Sequence, residues 1–189
     1  MRMYFARHLF AASVLLASVV AGGAQDAPVG NVVHLKRYEA ATDSPGRYLF
    51  SQNNINLSPD VPYILSFWAK ASQPVRLRIS TKFDEPPWTG FGKPEVVELT
   101  SDWQRYEVPL DGAGASPGHT RLQFHFVELD HGDVWMADIQ LKENGAAAEA
   151  ENLVHNGRFE EALTGWYIEG VRKEIFEITV IPADAHAKN

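Results

Sequence analysis

The chain has 189 residues, the length of one ordinary domain, which excludes a large multi-domain enzyme. Its 17 Lys and Arg against 24 Asp and Glu leave a formal charge of −7, which argues against nucleic-acid phosphates and anionic membrane surfaces as partners. Cys is absent, which removes disulfides, thiolate catalysis and Cys-ligated zinc together, while 45% hydrophobic and 22% charged residues suit a packed core.

Residues 1–24 place Arg2 and Arg7 ahead of an apolar run from Leu9 to Val20, followed by Ala21-Gly22-Gly23-Ala24. This is the layout of a secretory signal peptide cut near Ala24. The run is shorter than the ~20 residues a membrane span needs, so no span is expected after cleavage, and the domain is expected to be secreted or periplasmic in a bacterium.

Beyond the leader the pattern is period-2, in runs of five to nine residues separated by Pro, Gly, Asn and Asp, which predicts an all-β sandwich. Strands are predicted over Tyr48 to Asn56, Tyr63 to Ala71, Val75 to Phe83, Glu95 to Leu99, Gln104 to Leu110, Arg121 to Leu129 and Val134 to Lys142, with the second and third of these adjacent. Residues 144–151 hold the small, polar Gly145-Ala146-Ala147-Ala148-Glu149-Ala150-Glu151, helix-prone but without an apolar face, and read as a linker. The 38 residues 152–189 are too few to close a core of their own. They either complete the preceding sandwich, begin an incomplete second copy, or exchange between two chains in a homodimer.

Four segments occur in a telling order: Gly46-Arg47-Tyr48-Leu49-Phe50-Ser51-Gln52, Tyr63 to Ala71, Trp103-Gln104-Arg105-Tyr106, and Val134-Trp135-Met136-Ala137-Asp138-Ile139-Gln140-Leu141. Over residues 31–143 the chain resembles the family 4/9 group of carbohydrate-binding modules that accompany cellulases and xylanases. The resemblance implies a jelly-roll sandwich, galactose-binding-domain-like, that binds glycan in a cleft across one sheet and is not itself catalytic. The family's opening motif lies here at the other end, as Asn152 to Trp166 with a following strand at Glu174 to Ile181, so the order is that of a circular permutation. A return through the linker would bring Leu153 to Glu160 beside Val134 to Leu141.

Alternation along the strands puts Leu65, Phe67 and Ala69 in the core and turns Ser66, Trp68 and Lys70 outward. By the same rule Arg76, Arg78, Ser80 and Lys82 face out of the next strand, and Arg121, Gln123 and His125 out of a later one. A single face carrying Trp68, Arg78, Gln123 and His125 would offer an indole for stacking on sugar C–H patches, with planar donors and acceptors for hydroxyls. Trp88 and Phe91, in the loop Glu85-Pro86-Pro87-Trp88-Thr89-Gly90-Phe91-Gly92, would roof that cleft. Trp103, Trp135 and Trp166 are expected in the core.

The resemblance also implies a structural calcium held by an opening-strand and a closing-strand carboxylate, here Glu160 and Asp138, although Ala137 replaces the first of the family's usual paired aspartates. No carboxylate pair stands out for glycoside hydrolysis, no HExxH spacing is present, and no Ser sits in a nucleophile elbow. The expected function is therefore non-catalytic binding of a β-glucan or xylan type polysaccharide. Two alternatives are carried beside it: an assembly protein that uses the jelly-roll face or the tail, and a small or accessory glycoside hydrolase.

Overall fold

The computed structural model describes residues 18–20, 28, 30–38, 49–126, 129, 131–169 and 176–182. The described residues form eleven strands: β1 Ser18–Val20, β2 Val32–Arg37, β3 Leu49–Ile55, β4 Pro62–Ala71, β5 Val75–Phe83, β6 Gly90–Leu99, β7 Gln104–Asp111, β8 Thr120–His125, β9 Gly132–Glu143, β10 Trp166–Glu169 and β11 Phe176–Ile181. They pair antiparallel in two sheets, A in the order β1-β7-β4-β9-β2-β11 and B in the order β10-β3-β8-β5-β6. This is an all-β jelly-roll sandwich, as the period-2 pattern requires. The expected leader falls outside the described residues, except that Ser18–Val20 lie along β7 at one edge of sheet A. No helix among the described residues is long and apolar enough to cross a membrane.

The core between the sheets comes from the inward half of each strand. Tyr63, Leu65, Phe67, Ala69 and Ala71 of β4 meet Leu77 and Ile79 of β5 and Leu122 and Phe124 of β8. At roughly 25 cal/mol per Å² of apolar surface, each such large side chain contributes about 1.5–3 kcal/mol. Phe67 lies 5.4 Å from Tyr106 and meets Phe124 edge-on at 5.5 Å, which ties the two layers together.

β4 and β5 are not neighbours, contrary to the expectation from sequence. β4 pairs with β7 and β9 in sheet A, while β5 pairs with β6 and β8 in sheet B. The link Ser72-Gln73-Pro74 crosses between the layers. Face-to-face sheets are ~10 Å apart, a gap that three extended residues span. Alternation fixes the side of a strand and is silent about the sheet it joins.

The tail packs onto the body of the same chain. β10 extends sheet B by pairing Trp166 to Glu169 with Gln52 to Leu49, and β11 extends sheet A along β2. Between the linker and β10, Asn152 to Gly165 runs as successive turns, with positive φ at Asn156, Phe159, Ala162 and Gly165. It therefore touches β9 only near its end, through Leu153 N–H to Leu141 O and Ile139 N–H to Gly157 O, each at 2.9 Å. The expected strand from Leu153 to Glu160 is absent, and β2 holds the place beside Val134. A Cβ on Gly157 would stand 2.0 Å from the Ile139 carbonyl oxygen, so this close approach needs glycine. Trp166 stacks on Phe50 at 4.5 Å and Phe159 packs beside both, so the tail fills one end of the core.

Candidate functional site

Outward positions of adjacent strands form rows across sheet B. One row runs from Tyr167 on β10 to Ser51 on β3, Gln123 on β8 and Ser80 on β5, each directly opposite the next. The row beside it holds Glu169, Leu49, His125, Arg78 and Val96. On the other side Arg121 stands opposite Lys82, with Asn53 close by.

Ser51 is 0% exposed and Gln123 2%, although both point away from the core. They are overtopped by the longer side chains beside them and form the floor of a trough. Ser51 Oγ and Gln123 Nε2 have no hydrogen-bond partner within the chain. A buried polar atom left unpaired costs about 1–3 kcal/mol, so two of them side by side need a reason.

The walls are tied. Arg121 donates through Nε to Asn53 Oδ1 at 2.7 Å, pairs through Nη1 with Glu169, and lies 5.4 Å from the centroid of the Tyr167 ring. The Tyr167 hydroxyl donates to Asn53 Oδ1. Burial pushes the Tyr167 phenol up to about 12, so it remains a neutral donor through ordinary pH. His125 Nε2 meets Ser80 Oγ at 2.8 Å. Burial first, then the charges of Arg78 and Lys82, push His125 down to about 4, which keeps the imidazole neutral above that pH.

Of the residues singled out from sequence, Arg78, Gln123 and His125 share this face. Trp68 does not. It faces outward, as alternation requires, but from β4 of sheet A, where its ladder partner is Arg105, on the opposite side of the sandwich. Trp103 and Trp135, expected in the core, also lie on that side: both are half-buried, with the Lys70 ammonium 5.3 and 5.0 Å from their ring centroids, and His34 stacks on Trp135 at 4.9 Å. Parity places Trp135 outward, between buried Val134 and Met136. Trp166 is buried, in the core.

Trp88 is 53% exposed, in the loop that leaves β5 beyond Lys82. That loop is anchored at the end of sheet B by Asp84 N–H to His119 O at 3.2 Å and by Asn54 N–H to the Asp84 carboxylate at 3.0 Å. Phe91 is different. It stands opposite inward Thr81, tilts against Phe83 at 5.3 Å and packs on the core, so its ring serves the interior and does not roof the trough.

Asp138 and Glu160 line a second concavity, of about 650 Å³, between the end of β9 and the tail. Asp138 sits at a bulge with φ 46°. Both its carboxylate oxygens accept from Gln140 Nε2 at 2.9 Å, and Arg158 Nε donates at 3.1 Å. Glu160 is exposed, and among the described residues no group of three or more His, Asp or Glu could hold a metal. Calcium takes six to eight oxygens and is repelled by a guanidinium. The donors around Asp138 do not fit it; Arg158 already supplies the cation.

Sequence reasoning missed Ser51, Asn53 and Tyr167. The first two were legible as the polar, alternate members of Leu49-Phe50-Ser51-Gln52-Asn53. Tyr167 was not, because it reaches the site only when β10 joins β3 from the far end of the chain.

The fold and this trough together define a class: a β-sandwich with a polar, partly aromatic recess across the outer face of one sheet. Among solved structures the chain is similar to the apo carbohydrate-binding module of PbXyn10C, with 21% identity over 86% of this chain and 93% of that one and a TM-score of 0.62. It is more loosely similar to a CBM4 module, with 20% identity over 68% of this chain and 78% of that one and a TM-score of 0.49. The first likeness establishes a common fold. No protein-family model and no curated protein sequence matches the chain.

Proposed function

We propose that this chain is an exported, non-catalytic carbohydrate-binding module, and that the outer face of sheet B takes a polysaccharide of the β-glucan or xylan type. One observation carries the reading: Ser51 Oγ and Gln123 Nε2 lie buried, unpartnered and adjacent in register on an outward face. Both groups are closed to solvent in the free protein, so sugar hydroxyls would complete them as the side chains above them turn aside on binding. Tyr167 at one end of the row and the exposed indole of Trp88 at the end of the sheet supply aromatic surface for ring stacking. The fold is shared with a carbohydrate-binding module, which agrees.

The carboxylates near this face are already engaged within the fold: Glu169 is ion-paired with Arg121, and Asp84 accepts from Asn54 N–H at 3.0 Å. Glu98 stands on the far edge strand β6, four interstrand steps and roughly 19 Å from Glu169, against the ~5–9.5 Å that glycoside hydrolysis uses.

Calorimetric titration of the full chain with soluble β-glucan and xylan oligosaccharides tests the reading. Binding that is lost in Gln123→Ala is expected. Equal binding by wild type and Gln123→Ala would overturn it.

A further inference from the structure

We infer that the trough selects an acidic polysaccharide, one whose sugars carry carboxylates, and that Arg78 and Lys82 are the residues that read the charge. The inference rests on the reading that the outer face of sheet B binds glycan, and it goes further by naming the class of glycan.

The chain as a whole is acidic, at −7. Yet β5 turns Arg76, Arg78, Ser80 and Lys82 to this face, and β8 adds Arg121. The acids of the face are already engaged. Glu169 pairs with Arg121, Asp84 accepts from Asn54 N–H, and Glu98 stands directly opposite Arg76 in the β5–β6 ladder. Among the described residues, neither Arg78 nor Lys82 has an ion-pair partner, and they flank Ser80 on either side along the strand.

The electrostatic strain shows in the neighbours. Arg78 and Lys82 add to burial in holding His125 neutral, and Lys82 is itself lowered by burial and then by Arg121, with Glu169 acting the other way. Cations crowded this closely repel one another, and the one nearby carboxylate, already paired with Arg121, offsets that in part, so a further anion is favoured.

The hydrogen-bonding inventory points the same way. The two charged free groups of this face, the Arg78 guanidinium and the Lys82 ammonium, are donors alone, beside the Gln123 carboxamide and the Ser51 hydroxyl, each of which can both give and accept. A neutral sugar presents hydroxyls that must both give and accept. A carboxylate only accepts, and its two oxygens match the planar fork of an arginine. Ser80, opposite Gln123, is engaged with His125 and leaves the neighbouring donors to the ligand.

The test uses one polymer in two forms, glucuronoxylan and the same material with its carboxyl groups reduced to alcohols, with a sulfated polysaccharide as third arm. Affinity electrophoresis and calorimetry on the full chain are expected to show at least tenfold tighter binding to the acidic form at low salt, with the gap closing as salt rises. Arg78→Gln and Lys82→Gln should each lose severalfold more on the acidic form than on the reduced one. Arg105→Gln, on the opposite sheet, should match wild type on both. Equal binding to both forms would overturn the acidic preference while leaving glycan binding standing. Binding to neither would remove both readings. Binding to the sulfated polymer alone would overturn the assignment to carboxylates.

Discussion

Replacing Ser51 by Ala should move stability and binding in opposite directions. The residue is fully buried between Tyr167 and Gln123, and its hydroxyl has no partner. In the free protein that oxygen is a liability of about 1–3 kcal/mol. Ser51→Ala removes it and leaves a void of a single atom, so a net gain of about 1 kcal/mol is expected. For a domain of this size that is a rise in Tm of roughly 2–4 °C. If a sugar hydroxyl completes the Ser51 hydroxyl in the complex, the same change deletes a hydrogen bond worth about 1–1.5 kcal/mol, or roughly tenfold in Kd. Scanning calorimetry and isothermal titration on one preparation read both effects. A variant that melts several degrees lower and binds as wild type would refute the reasoning, since it would mean that the hydroxyl is already satisfied within the fold.

Further outcomes are expected from other parts of the structure. Trp88→Ala should weaken glycan binding roughly tenfold, the worth of one stacked ring, whereas Trp68→Ala on the opposite sheet should leave the titration unchanged. For His125, with the folded pKa of about 4 below the ordinary 6.5, the unfolded chain binds the extra proton. Its contribution is thus complete above pH 6.5 and is lost as pH falls toward 4, by about 1–2 kcal/mol after discounting for partial exposure. His125→Gln should flatten that part of the stability profile in denaturant melts at stepped pH. Because Arg158 occupies the cation position beside Asp138, a chelator should leave Tm unchanged; a fall of several degrees with EDTA, reversed by calcium, would contradict the assignment.

The alternation of Arg78 with Ile79, and of Gln123 with Phe124, made inward and outward positions readable strand by strand; burial follows that parity along β5 and most of β4, whereas in β8 the outward Arg121 and Gln123 are buried as well. Sheet membership was hidden. Trp68 and Arg78 obey one alternation rule yet end on opposite sides, because the short crossing at Ser72 to Pro74 leaves no mark in hydrophobic period. β2 was overlooked although His34 and Lys36 alternate with buried Val33 and Leu35. It is a short strand before a stretch of weak pattern. The calcium expectation was carried by the positions of two acids; what decides the site is Arg158, whose side chain reaches Asp138 only through the turns of the tail.

The central claim is that glycan binds on the outer face of sheet B. Amide chemical-shift mapping during titration with a glucuronoxylan oligosaccharide tests it directly. The account predicts that the largest shifts fall on residues 49–53, 78–82, 121–125 and 167–169, while His34, Trp68, Lys70 and Trp135 stay still. Shifts concentrated on those four residues of sheet A would contradict it.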